Sequence, residues 1–198
     1  MLVDLTNSAV ALAGGKIATQ YDKVAIVTGA GGTVLFNEEC SPNVAIWTFS
    51  TYALAKSTAR AIYKRGGDSW YFITADYAGG HQVERDSTRE IEALGGKVLG
   101  NSRVPTGLAD LSSNLLKAQA SNAKVLGVAN FGHDAITTLR QAQEFGLQQA
   151  LAGILLFITD IHGAGLDATK DLRLTNSFYW DRNDVSRAWS KRFFDKHK

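Results

Sequence analysis

Apolar, β-branched and aromatic residues gather in seven short runs: Val24–Val27, Val44–Phe49, Trp70–Thr74, Val98–Val104, Val125–Ala129, Leu151–Ile158 and Leu174–Trp180. Several are apolar at consecutive positions, the pattern of strands covered on both faces of a sheet. Met1–Asp4 reads as the end of a further strand. Between the runs the spacing becomes helical. Leu54, Ala55, Ala59 and Ile62 share one face after Phe49, and Val83, Ser87, Ile91 and Leu94 share one after Tyr77. Ile136, Leu139 and Ala142 do the same after Phe131. Gly66-Gly67, Gly95-Gly96 and Gly146 close helical patterns, where a left-handed residue suits glycine. Asp110 is placed to cap the helix that carries Leu111, Leu115 and Leu116. One segment is in conflict: Gly14-Gly15 interrupts the apolar stretch Ser8–Tyr21, at about 1 kcal/mol per glycine. Helices alternating with buried strands predict an α/β fold, with parallel sheets flanked by helices in a three-layer αβα arrangement.

Composition narrows the function. The chain has 198 residues, 45% hydrophobic and 20% charged, with a net charge of +2. That is enough apolar content for one or two packed domains, and too much for a disordered chain. The near-neutral charge speaks against nucleic-acid binding, and no stretch reaches the roughly 20 apolar residues that span a bilayer. Cys40 is the single cysteine, which excludes an intrachain disulfide framework or a multi-cysteine zinc site. Met1–Asp4 has neither a basic n-region nor an apolar h-region, so no signal peptide is expected at this start. The basic, amphipathic tail Arg187–Lys198 is expected to dock Trp189 and Phe193 on a core and leave its cations in water.

Chemistry is sparse. There is no Gly-x-Ser-x-Gly elbow and no His-Glu-x-x-His pair. Asp160-Ile161-His162 offers two possible metal ligands, with no third at a convincing spacing. The most suggestive turn is Thr28-Gly29-Ala30-Gly31-Gly32, which follows the strand Val24–Val27 and exposes backbone N–H groups. With Tyr52 and Lys56, four apart on a helix, it is similar to the signature of NAD(P)-dependent short-chain dehydrogenases. That pattern requires glycines where this chain has Thr33 and Leu35, and Tyr52 follows Thr28 by only 24 positions, too early for the catalytic helix. An oxidoreductase stays as the alternative.

A second likeness runs along nearly the whole chain. Asn7-Ser8-Ala9-Val10-Ala11-Leu12-Ala13, Val27–Gly31 and Cys40-Ser41-Pro42-Asn43 come first. Phe72–Ala78, Gly95–Gly100, Phe157–His162 and Phe178-Tyr179-Trp180-Asp181 follow in order. Together they resemble the substrate-binding proteins of ABC transporters, in the group of the branched-chain amino acid receptors. The resemblance implies a type I periplasmic-binding fold: two α/β lobes that close by hinge motion on a small ligand. It implies a non-catalytic protein without a cofactor, periplasmic, whose partners are a small carboxylate ligand (an amino acid or an aromatic acid or amide) and a membrane permease. No nucleic acid and no membrane insertion are expected. A ligand-sensing regulatory domain on the same fold is a further alternative.

Carried over residue by residue, the resemblance assigns Asn7 and Ser8 to one loop that meets the ligand carboxylate, and Ala30, Gly31 and Gly32 to a second. It makes Tyr77 an aromatic lid and puts Phe131 in the equivalent place on the next strand. Asp160 falls near the acid that meets an α-ammonium group, and Tyr52 at the first hinge crossing. Gly79 stands where the pattern usually has an aromatic, so that part of the ligand's cover falls to Tyr77. Family members run to roughly twice this length. The expected division is therefore residues 1–49 as part of lobe I, 50–174 as a nearly whole lobe II, and 175–198 as the hinge return and the start of the rest of lobe I. A partial lobe leaves apolar faces uncovered, and ligand binding by the isolated chain is expected to be weak at best.

Overall fold

The computed structural model describes residues 1–197; Lys198, the last residue of the predicted tail, lies outside the described residues. Two parallel sheets organise the chain. β1 (Leu2–Asp4), β2 (Ala25–Val27) and β3 (Val44–Ile46) pair in the order β1-β2-β3. The larger sheet contains β4 (Ser69–Ala75), β5 (Lys97–Val104), β6 (Val125–Ala129), β7 (Ala150–Gly153) and β8 (Arg173–Leu174), in the order β5-β4-β6-β7-β8. Every observed pairing is parallel. Helices α1 (Ser8–Gln20), α2 (Thr51–Tyr63), α3 (Ala78–Ala93), α4 (Ser112–Ala120) and α5 (Gly132–Glu144) make the crossovers. The short α6 (Ile158–Ala164) and α7 (Leu166–Thr169) precede β8, and α8 (Asp184–His197) ends the chain.

The central strands β4 and β6 of the larger sheet are sealed on both faces, as their continuous apolar runs require, while the edge strand β5 keeps much of its length exposed. Trp70 and Phe72 of β4 point one way, against Ala55, Ala59 and Ile62 of α2 and Val83 and Ile91 of α3. Tyr71 and Ile73 point the other way, with Val104 and Leu126, against Leu111, Leu115 and Ala118. Val128 continues that second face toward Ala135 and Leu139 of α5. This period-two division gives the αβα layering, and each fully buried large side chain contributes roughly 1.5–3 kcal/mol.

Local signals mostly hold. Gly66, Gly95 and Gly146 take φ values of +90°, +88° and +64°, the left-handed stops expected of them. Asp110 is not the N-cap itself: Leu111 holds that place without a side-chain bond, and Asp110, one residue earlier, accepts from the Ser112 N–H at 2.8 Å and from the Ser112 hydroxyl, which hold its carboxyl below the usual range. The conflict at Gly14-Gly15 resolves through packing. α1 runs unbroken, and a Cβ on Gly15 would come within 3.1 Å of the Val44 side chain, so glycine lets the helix sit closely on the sheet.

Three expectations fail. The run Leu151–Ile158 is a strand only to Gly153; Ile154 and Leu156 stay fully buried as irregular chain, and α6 starts at Ile158. Leu174–Trp180 pairs only through Leu174, because Phe178, Tyr179 and Trp180 stand about half exposed. The tail does not dock on a core. α8 has no buried residue; Trp189 and Phe193 instead stack on one another at 5.3 Å, with Phe178 edge to face against Trp189 and His197 tilted against Phe193. An apolar run reports that a segment avoids water in some context, without naming the partner surface.

One buried carboxylate joins the two sheets' surroundings. Asp86 of α3, 4% exposed, accepts from the hydroxyls of Thr33 (2.7 Å) and Thr51 (2.8 Å) on one oxygen and from Gln82 on the other. Thr33 opens the 3-10 turn that follows β2, and Thr51 opens α2, so the bond network spans the junction. Asp86→Ala is expected to lower unfolding stability by about 1–3 kcal/mol by stranding these donors. Asp86→Asn, which keeps an acceptor, should lose less; urea unfolding followed by circular dichroism measures both, and equal stability in all three proteins would refute the bridge.

Candidate functional site

Parallel strands all end on the same edge of their sheet, so the loops that follow them lie together. The two sheets bring these edges face to face across a cavity of about 460 Å³. One wall comes from the β1–α1 and β2 loops: Thr6, Asn7 and Ser8 meet the turn Thr28–Gly32. The opposite wall comes from the larger sheet and is led by Tyr77, Phe131 and Phe157. Phe49 and Thr51, from the crossing between the sheets, line its base.

The first wall is built by close backbone approach. Asn7 has extended backbone and caps α1, its side-chain oxygen accepting from the Val10 N–H at 3.0 Å. The Ser8 and Ala9 N–H groups stand in the first turn, where a helix provides no internal acceptor. Gly31 is hemmed in: a Cβ there would lie 2.2 Å from the Phe49 carbonyl oxygen, and the Gly31 carbonyl accepts from the Thr51 N–H at 2.7 Å. On Gly32 a Cβ would come within 2.7 Å of the Ser8 hydroxyl, so the two loops interlock. Gly31, which meets backbone, is therefore fixed as glycine by space.

The second wall has a repeated construction. Tyr77, Phe131 and Phe157 are the N-caps of α3, α5 and α6, all with extended backbone. N-caps are ordinarily Ser, Thr, Asp or Asn, which satisfy a first-turn N–H. An aromatic ring cannot do so; here each ring stands at the cleft instead. Tyr77 and Phe131 meet edge to face with centroids 5.7 Å apart, and Phe49 and Phe157 pair across the junction at 5.4 Å. The Tyr77 ring also fills the space beside Gly79, 2.8 Å from where a Cβ would be, and so occupies the position that lacks an aromatic. Burial, and secondarily the Asp134 carboxylate, push the Tyr77 phenol up to about 12.

Asn7, Ser8, Ala30, Gly31, Gly32, Tyr77, Phe131 and Asp160 thus converge on one cavity. Asp160 lines it with one oxygen turned to its own helix, where Oδ2 accepts from the Phe157 N–H at 2.8 Å. Tyr52, expected at the first hinge crossing, lies directly after it and does not line this cavity. It is exposed on the first turn of α2, its phenol accepting from Lys56 Nζ at 2.7 Å, and it lines a separate groove with Phe36, Arg89 and Glu90. The dehydrogenase-like pair and the glycine turn therefore face different surfaces. Thr6, Phe49, Thr51, Leu155 and Thr159 line the cleft without having been singled out in the sequence. Their available signal was position alone, at or just beyond the ends of parallel strands.

Comparison with known proteins agrees with this geometry. A family model described as periplasmic binding protein matches residues 1–198. The crystal structure of a periplasmic binding protein from Burkholderia mallei is 46% identical, with a TM-score of 0.91 over 98% of this chain and 52% of that one. A branched-chain amino acid ABC transporter periplasmic ligand-binding protein from Burkholderia xenovorans is 31% identical, with a TM-score of 0.87 over 100% of this chain and 54% of that one. A solute-binding protein from R. palustris, solved with benzoate, shares the fold at 22% identity and a TM-score of 0.82, over 96% of this chain and 53% of that one. No curated protein matches. The chain spans about half the length of these solved structures. Matched along its whole length and closely superimposable on such a relative, the chain belongs to the periplasmic binding protein family.

Proposed function

We propose that this chain supplies much of the ligand cleft of a non-catalytic ABC-transporter solute-binding protein, which captures a small carboxylate-bearing molecule in the periplasm for a membrane permease. The observation that carries the reading is the meeting of the Asn7-Ser8 helix start and the glycine-rich Ala30–Gly32 turn, both presenting backbone, with the aromatic wall of Tyr77, Phe131 and Phe157 across one cavity. Backbone N–H groups at the start of a helix suit a carboxylate, and aromatic faces suit an apolar ligand body. Relatives of the same fold support the class: one is solved with benzoate and another with 4-hydroxybenzoate, and one is named for leucine, isoleucine, valine, threonine and alanine.

In this reading residues 1–49 belong to lobe I, 50–174 form lobe II, and 175–198 return through the hinge. A ligand that touches both walls only when they are close favours the closed arrangement by its extra contacts. The Asp86 bridge and the Phe49–Phe157 pair are on the junction that such a motion works against.

Two outcomes test the reading. In nuclear magnetic resonance titrations with small carboxylates at up to millimolar concentration, shifts should centre on Ser8, Gly31 and Tyr77. Tyr77→Ala should weaken binding about tenfold, the effect of losing a ring contact of about 1.4 kcal/mol, with an unchanged circular dichroism spectrum; undiminished affinity would refute the assignment. The pH dependence has a definite sign. A phenol with a folded value of about 12, against an ordinary 10.0, stays protonated where the unfolded chain has ionised. Its contribution to stability is complete below pH 10 and is lost as the pH rises toward 12. Tyr77→Phe should remove that part of the alkaline loss, measured by thermal melts across the same range.

A further inference from the structure

Resting on the solute-binding reading, we propose that Asp86, which does not line the cavity, is a positioning residue for it. Through Thr33 and Thr51 it fixes the glycine turn of one wall relative to α3, the helix that carries Tyr77 on the other. The relay is continuous. Thr33 directly follows Gly32, and the Thr51 N–H donates to the Gly31 carbonyl at 2.7 Å. The Thr33 N–H donates to the Thr51 hydroxyl oxygen at 3.2 Å, so both threonines are tied to the turn and to one another. Asp86 Oδ2 then accepts from both hydroxyls, at 2.7 and 2.8 Å. On the far side of the turn the Ser8 hydroxyl lies 2.7 Å from where a Cβ on Gly32 would be. A displacement of Thr33 is thereby passed to Gly31, Gly32 and Ser8, all of which line the cavity.

The other end of the relay is anchored. α3 packs on β4 through Val83 and Ile91, which are buried against Trp70 and Phe72. At its start a Cβ on Gly80 would come within 2.2 Å of the Ala75 carbonyl oxygen, so the first turn is seated on the end of β4. Tyr77 is the N-cap of this helix. Gln82, on the same helix, donates its amide to Asp86 Oδ1 at 2.9 Å and so orients the carboxylate. α3 acts as a stiff bar, with a ring of the aromatic wall at its start and the contact to the glycine turn farther along.

The chemistry of the contact suits placement more than cohesion. Asp86 is buried, and its partners are neutral: two hydroxyls and one amide. Burying a carboxylate costs desolvation, and an apolar contact of similar volume would hold two elements together as well or better. Apolar contacts are non-directional, however. Hydroxyls that donate to a carboxylate restrict both distance and angle. Two walls that must meet one ligand at the same time need that restriction, and it has to come from groups behind the lining.

Two labels read the arrangement of the walls directly. Cys40, the single cysteine and an exposed one, precedes β3, and the exposed Gln143 precedes β7. Spin labels on Cys40 and on Gln143→Cys therefore report from the two sheets, away from the cleft. Double electron–electron resonance on the 198-residue chain gives the distribution of distances between them. Thr33→Val, which keeps the side-chain shape and removes the hydroxyl, and Asp86→Ala should each broaden or shift that distribution. Asp86→Asn, which keeps an acceptor, should restore most of it. An unchanged distribution in Thr33→Val and Asp86→Ala, even with lowered unfolding stability, would overturn the proposal, because a merely stabilising bond gives that result. Thr33→Val decides the question if Asp86→Ala does not fold. In nuclear magnetic resonance titrations benzoate should bind Thr33→Val about tenfold more weakly than the unsubstituted chain, although Thr33 is not a lining residue. Equal affinity would overturn the positioning role and leave the solute-binding reading intact. If benzoate shifts no cleft resonance in either protein, that counts against the solute-binding reading, and the label distances decide the Asp86 relay by themselves.

Discussion

Parallel pairing is the constraint from which the rest of the structure follows. A parallel strand must be reached by a crossover, so a helix is needed after nearly every strand, and those helices cover both sheet faces. The same rule puts all strand ends on one edge. Residues far apart in the chain, such as Ser8, Gly31, Tyr77, Phe131 and Phe157, come to one cavity because each follows a strand that runs the same way. Within each sheet the register of β1-β2-β3 and of β4-β6-β7 aligns the strand ends; the two sets meet through contacts at the junction, the Asp86 bonds to Thr33 and Thr51 and the Phe49–Phe157 pair.

The chemistry of the two walls differs because the local solutions at the helix starts differ. On the smaller sheet's side Asn7 satisfies α1 in the ordinary way, and glycines bring backbone against backbone. On the larger sheet's side three helix starts carry aromatic residues where a polar cap is usual. Each gives up a capping bond worth about 1 kcal/mol, and each puts a ring into the cavity instead. Loss of a local stabilising interaction at a cleft, with the core intact behind it, is how binding sites differ from ordinary loop ends. Asp160 shows the reverse trade, a charged group in the cleft that is used for helix capping.

Much of this was legible without coordinates, and the limits are instructive. The apolar runs marked β2, β4, β5 and β6 closely; β4 and β6 are the ones buried on both faces, where consecutive apolar positions follow directly from a two-sided sheet. The residues Asn7, Ser8, Ala30–Gly32, Tyr77, Phe131 and Asp160 were accessible through ordered motifs at strand ends. Tyr52 was not separable from them. Its four-residue spacing to Lys56 described a real helical contact, but spacing cannot say which side of α2 faces the cleft. Phe157 opened one of the ordered motifs but was given no place in the site, because it also fell in an apolar run taken as strand, and burial of Ile154 and Leu156 looks the same in a strand and in irregular chain.

The sequence by itself determined the alternation of strand and helix, the glycine stops and the parallel α/β class, all of which depend on local stereochemistry and on which residues avoid water. Only the tertiary structure decided where α8 lies, that Gly15 is a packing contact with Val44, and that Asp86 binds Thr33 and Thr51 across the junction. It also decided that one oxygen of Asp160 is turned to its own helix. These are matters of orientation between elements. A pattern along the chain fixes which face of an element is apolar, while the partner of that face is set by packing in three dimensions.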